Sequence, residues 1–258
     1  MRAQFQLGDQ GVARETATTF AERLNDQWPV LVLSKELADA GKVQEAMETS
    51  SRLKEQLRFF ALGHIAESLA KSGEIRKALD LASSIPSPMH RYEDAPTVRF
   101  RTVGRIAEIQ AKNGNYKGAF STALIIPSGM SACDIFGYWR DEVIHDIGNA
   151  QAQRGDFNLA IRTAEKLKKS TAYYGDEVIR TVTLSQARQG QIESALKTCN
   201  RFRSRDFRAK TYQDVAEEWV KRDDKETVMK WASQLPLKIE KAYALVGIAR
   251  GVRHETEK

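Results

Sequence analysis

Little in this chain of 258 residues breaks or cross-links it. Proline occurs only six times, at Pro29, Pro86, Pro88, Pro96, Pro127 and Pro236, which leaves long stretches free to be helical. Two cysteines cannot build a disulfide framework, so a small stapled scaffold is excluded. No apolar run approaches the roughly 20 residues of a membrane span. The first residues, MRAQFQLGDQ, carry neither the apolar core nor the cleavage site of a secretory signal. A reducing, cytoplasmic setting is the resulting expectation, unless a signal lies upstream. A glycine-rich phosphate loop, an HExxH or GxSxG motif and a paired catalytic carboxylate pattern are all missing. His64, His90, His145 and His254 stand in no metal-ligand spacing with one another or with cysteine. The expectation is therefore a non-enzyme without metal or cofactor. Composition is that of a globular chain, 41% hydrophobic and 29% charged, and the net charge of +6 is spread along it, permitting anionic partners without demanding them.

What the chain does have is a beat. Gly8, Gly41, Gly73, Gly114, Gly155 and Gly190 lie 33, 32, 41, 41 and 35 residues apart, and each is followed five residues later by alanine, from Ala13 to Ala195. Spacings in this range mark a helical-repeat array, which is one continuous domain however long it runs.

Aligned on the glycine, each unit reads as two amphipathic helices. Eight residues before it stand Leu33, Ile65, Ile106, Ile147 and Val182, with Val215 in a further unit marked by Asp223. Eleven before stand Val30, Leu62, Val103, Ile179 and Tyr212, and three before are Ala38, Ala70, Ala111, Ala152, Ala187 and Val220. These offsets share one face of a first helix, helix A. Seven before, Ser34, Ala66, Ala107, Gly148, Thr183 and Ala216 are small enough for a neighbouring helix to come close. After the glycine, which is placed to take the left-handed conformation closing helix A, helix B carries large apolar residues at plus two and plus twelve. At plus nine its side chains are small, Ser50, Ala82, Ala123, Ala164 and Cys199 among them, so Cys199 reads as a small core residue. Pro86, Pro127 and Pro236 follow helix B directly and stop it.

These columns resemble the tetratricopeptide repeat over essentially the whole chain. Helix pair, intervening glycine, alanine five residues on, and large apolar residues eleven and eight before match that family. Its bulky aromatic at plus nine is small here, its alanine at plus twelve is large, and its proline falls later. The resemblance implies an all-α, right-handed α-α superhelix (a solenoid) of antiparallel helix pairs, with helix A lining a concave surface that holds partners. About six and a half pairs fit one domain over 1–258, at roughly 1–24, 28–53, 57–85, 97–126, 138–168, 176–202 and 207–235, with a capping helix at 239–254. Leu245, Ile248, Ala249 and Val252 repeat the helix A pattern in that cap, with Arg253 in the alanine column. Residues 2–9 match 149–156, which places Met1 inside a helix A. The expectation is an N-terminally incomplete array, a fragment or a surface for self-association.

Candidate functional positions lie where the beat carries charge or falters. Arg58, Arg99, Arg140 and Arg208 stand fifteen before the marker, with Lys241 in the last helix and Gly175 breaking the series. They read either as a guanidinium ladder for an anionic ligand or as caps on the carbonyls that end the preceding helix B. Glu67 with Lys71, Glu108 with Lys112 and Glu217 with Lys221 read as solvated helix pairs. Three long links, 86–97, 127–138 and 168–176, carry Met89, Tyr92, Phe136, Tyr138, Tyr173 and Tyr174, with Trp139 just beyond. Together with Arg99 and Arg140 these are the candidate partner contacts, because aromatic, Met and Arg side chains make interface anchors. The leading reading is a non-catalytic scaffold for a protein or peptide. The alternatives are single-stranded RNA binding, which wants one repeated polar type near the centre of helix A that these residues do not form, and an accessory or regulatory domain of a larger enzyme.

Overall fold

The computed structural model describes residues 11–13, 15–16, 19, 27–86, 95–127, 139–167, 172–222 and 225–256. The described residues are all-α, and the contacts cluster in two compact units, Met1–Arg140 and Asp141–Lys258. The first holds α1 (Trp28–Asp39), α2 (Val43–Ser51), α3 (Glu55–Lys71), α4 (Ile75–Ser84), α5 (Ala95–Lys112) and α6 (Tyr116–Ala123). The second holds most of α7 (Trp139–Gln153), then α8 (Phe157–Lys166), α9 (Ala172–Arg188), α10 (Ile192–Cys199), α11 (Arg205–Val220), α12 (Lys225–Gln234) and α13 (Lys238–Thr256).

The glycine beat is a run of identical helix ends. Gly41, Gly73, Gly114, Gly155 and Gly190 all have positive φ, between 77° and 90°. In each, the glycine N–H donates to the carbonyl three residues back and the next N–H donates to the one five back, as in Gly73 to Ala70 (3.1 Å) and Glu74 to Leu69 (2.9 Å). This is the Schellman closure, whose left-handed residue tolerates no Cβ without strain. The residue after the glycine is already the N-cap of helix B, so the two helices of a pair are joined with no slack.

Ala46, Ala78, Ala119, Ala160 and Ala195 are fully buried, as are Ile65, Ile106 and Ile147 opposite them on helix A; each such isoleucine contributes roughly 1.5–3 kcal/mol of burial. Small residues seven before the glycine do permit close approach: a Cβ on Gly148 would lie 2.9 Å from the Val178 methyls of α9. In the first unit α1 packs on α3 and α3 on α5, each also holding its own helix B, and α2 and α4 reach on to the next helix A. In the second unit α9 packs on α11 and α11 on α13, with α8, α10 and α12 against neighbouring A helices.

In α13 the helix A columns are unequally buried. Ile248 is buried, but Leu245, in the eleven-before column, is 44% exposed. α13 is instead held by its other side. Gly247 and Gly251 press on α11, where an added Cβ would lie 2.0 Å from the Gln213 carbonyl oxygen and 2.2 Å from a Val220 methyl. Glu240, 1% exposed, accepts from Arg208 Nε at 2.7 Å and ties the start of α13 to α11.

Candidate functional site

The arginines fifteen before the marker do different things in different units. Arg140 Nε donates to the Ile126 carbonyl at 2.6 Å and its Nη2 to that of Leu124 at 3.2 Å, so it closes the end of α6. Arg208 is engaged with Glu240. The Arg99 guanidinium lies 6.0 Å from the Phe100 ring centre, and its buried Nε makes no hydrogen bond among the described residues. Where the series breaks, an arginine from the next unit substitutes. The backbone leaves little room at Gly175, where a Cβ would sit 3.1 Å from the Ala164 carbonyl oxygen. Arg203 reaches across instead and donates to the Leu167 carbonyl at 3.1 Å, the position equivalent to Ile126. Beside it Asp176, buried in α9, accepts from the N–H groups of Arg203 and Ser204, both at 2.9 Å, and so holds the entry to α11.

Of the aromatic candidates, Tyr173 and Tyr174 lie in the first turn of α9. Tyr173 is 59% exposed and meets Tyr174 and Phe207 edge-on, with ring centres 5.9 and 5.3 Å apart. Tyr174 tilts against His145 at 5.3 Å, and burial, then the carboxylates of Glu142, Asp146 and Asp141, raises its phenol pKa. His145 is itself held between Asp146 and Asn149, at 3.1 and 2.9 Å. Trp139 is the first residue of α7. Met89, Tyr92, Phe136 and Tyr138 lie outside the described residues.

Elsewhere in the first unit a groove of about 420 Å³ lies between α3 and α5. Its walls are the same four helix positions taken from two successive A helices, at thirteen, nine, six and two before the glycine. α3 supplies Phe60, His64, Glu67 and Lys71; α5 supplies Arg101, Arg105, Glu108 and Lys112. The floor is drawn in by Gly63, whose absent side chain leaves its position 2.7 Å from Thr102 Oγ1, and is made apolar by Val98 and Ile109. Arg105 pairs with Glu108 at 2.8 Å, and Lys71 reaches Asp39 of α1 at 3.7 Å. Arg101 is exposed and joins no ion pair among the described residues. Burial above all, joined by the cations of Lys35 and Arg101, lowers the pKa of His64 against the pull of Glu67 and Asp39. In the second unit one wall position is closed by a pair between A helices, Arg180 to Asp214 at 2.8 Å.

Sequence reasoning missed two things here. It read Glu67, Lys71, Glu108 and Lys112 only as solvated pairs, although stacking successive A helices at one offset would have exposed the groove wall. It also passed over the positions four before and eight after the glycine. There Gln110, Gln151 and Gln186, all buried, accept from Thr122, Thr163 and Thr198 at 2.7, 2.7 and 2.8 Å, locking helix A to helix B. In the last pair the same positions hold Trp219 and Trp231, ring centres 5.3 Å apart.

Among the described residues no three His, Cys, Asp or Glu side chains form a group that could hold a metal ion, and no helix is long and apolar enough to cross a membrane. Fold and groove together define an all-α protein presenting a helix-lined cleft. No family model, curated protein or solved structure matches the chain.

Proposed function

We infer that this chain is a tetratricopeptide-like scaffold, a right-handed solenoid of about six and a half helix pairs, that binds a protein or peptide through the faces of its A helices. The groove between α3 and α5 carries the reading: it is built from repeated positions, it is open, and it combines an apolar floor with charged walls. That combination suits an extended or helical segment of a partner held on a preorganised surface. The five identical Schellman closures support the repeat assignment, because they give five helix pairs the same turn.

The test is site-specific photocrosslinking in an extract of the native host, with the crosslinker at Arg101 or Lys71 in one set and at exposed Glu193 of α10 in another. A discrete set of proteins crosslinked from the groove and not from α10 is expected. Equal yields from both positions, or no protein adduct from the groove, would reject a groove-binding scaffold.

A further inference from the structure

We propose that the groove between α3 and α5 takes an acidic partner segment, one apolar side chain flanked by aspartates or glutamates; this rests on the scaffold reading above. The walls carry four cationic side chains, Lys71, Arg101, Arg105 and Lys112, against the carboxylates of Glu67 and Glu108 and that of Asp39, which Lys71 reaches from α3. Glu108 already accepts from Arg105. Arg101 projects at the rim, exposed, with no carboxylate partner among the described residues. An exposed guanidinium with no carboxylate beside it can take one bidentately from a partner. Between the cations, Val98 and Ile109 make the floor apolar and Phe60 adds an apolar wall, a surface on which an apolar side chain can rest.

The same chemistry argues against a nucleic-acid backbone. A phosphate chain lays down charge at every nucleotide, and would run past Glu67 and Glu108. Spaced carboxylates on a peptide can straddle those two positions. His64, whose pKa burial lowers, adds no charge at neutral pH and stands as a neutral donor or acceptor on the wall.

The probe is a displayed library of random peptides about twelve residues long, selected on the full chain and counter-selected on an Arg101→Glu/Arg105→Glu variant, with affinities measured by fluorescence anisotropy. Arg101 is exposed and Arg105 on the surface of α5, and unchanged circular dichroism and thermal midpoint verify that the variant folds. Expected are peptides rich in Asp and Glu around one apolar residue, weakened about tenfold or more by the double charge reversal and by high salt. Replacing their acidic residues by Asn and Gln should abolish binding. Selected peptides that are neutral or basic, and indifferent to charge reversal, overturn the acidic preference while leaving the scaffold standing. A mixed-sequence RNA oligomer that binds more tightly than every selected peptide overturns it too. If no peptide is selected and crosslinking from the groove also fails, the scaffold reading falls with it.

Discussion

Thr163 gives its hydroxyl proton to the Gln151 carbonyl at 2.7 Å, with both side chains sealed from water. A buried acceptor deprived of its donor retains the full cost of desolvation, whereas removing both partners removes the problem. Thr163→Val should therefore destabilise by about 1–3 kcal/mol, measured by urea unfolding. The double change Gln151→Leu with Thr163→Leu reproduces Leu69 and Leu81, which fill the same two positions around Gly73. It should recover most of that loss, and simple additivity of Gln151→Leu and Thr163→Leu, each measured singly, would show that the bond does not join the helices. Cys199 illustrates the opposite case of a residue with nothing to do but fill space. It is fully buried beside Thr183, and burial pushes its thiol up to about 12. Its small-core reading came directly from the column it occupies, because Ser and Ala stand there in the other units.

The ends of the A helices were legible where a glycine marks them, and the close approach of α9 to Gly148 was foreshadowed by a small residue on helix A. The attachment of α13 was not. Its sequence repeats helix A, yet its grip on α11 comes from Gly247 and Gly251, which sit outside the apolar columns and let backbone meet backbone. Gly247→Ala would set a methyl carbon 2.0 Å from the Gln213 carbonyl oxygen, an overlap no side-chain rotation relieves. Loss of about 3 kcal/mol and faster amide exchange in α13 are expected. A fully stable variant with unchanged exchange in α13 would contradict this close packing. The Arg203 substitution for Gly175 was hidden for a related reason: the donor and its acceptor, Leu167, are 36 residues apart. Nothing in a one-unit alignment connects them.

Each helix pair touches its immediate neighbours within its own unit, and this sets how the molecule should respond to damage. Stability in such an array is close to a sum of pair and nearest-neighbour terms. Leu37→Ala removes a buried side chain from α1, at a cost of about 2–5 kcal/mol. Hydrogen exchange followed by mass spectrometry should show protection lost in α1 to α4 while α9 to α13 keep theirs. A uniform loss across both units would mean that the chain unfolds as one cooperative body. Function at this scale follows from the same layout: the groove exists only because two successive A helices, 41 residues apart by their glycines, present equivalent positions to each other.

By itself the sequence determined the local rules: where helix A must end, because only glycine sits easily at positive φ; which faces are apolar, because the period is helical; and where neighbours can approach, because the side chains are small. The tertiary structure decided everything that depends on residues of different helices meeting. It placed Arg203 where Gly175 supplies no side chain, joined glutamine to threonine, seated α13 on two glycines and set Arg101 and Arg105 beside His64 on one groove. Such pairings are fixed by the distance and angle between packed helices, quantities that no spacing along one chain contains.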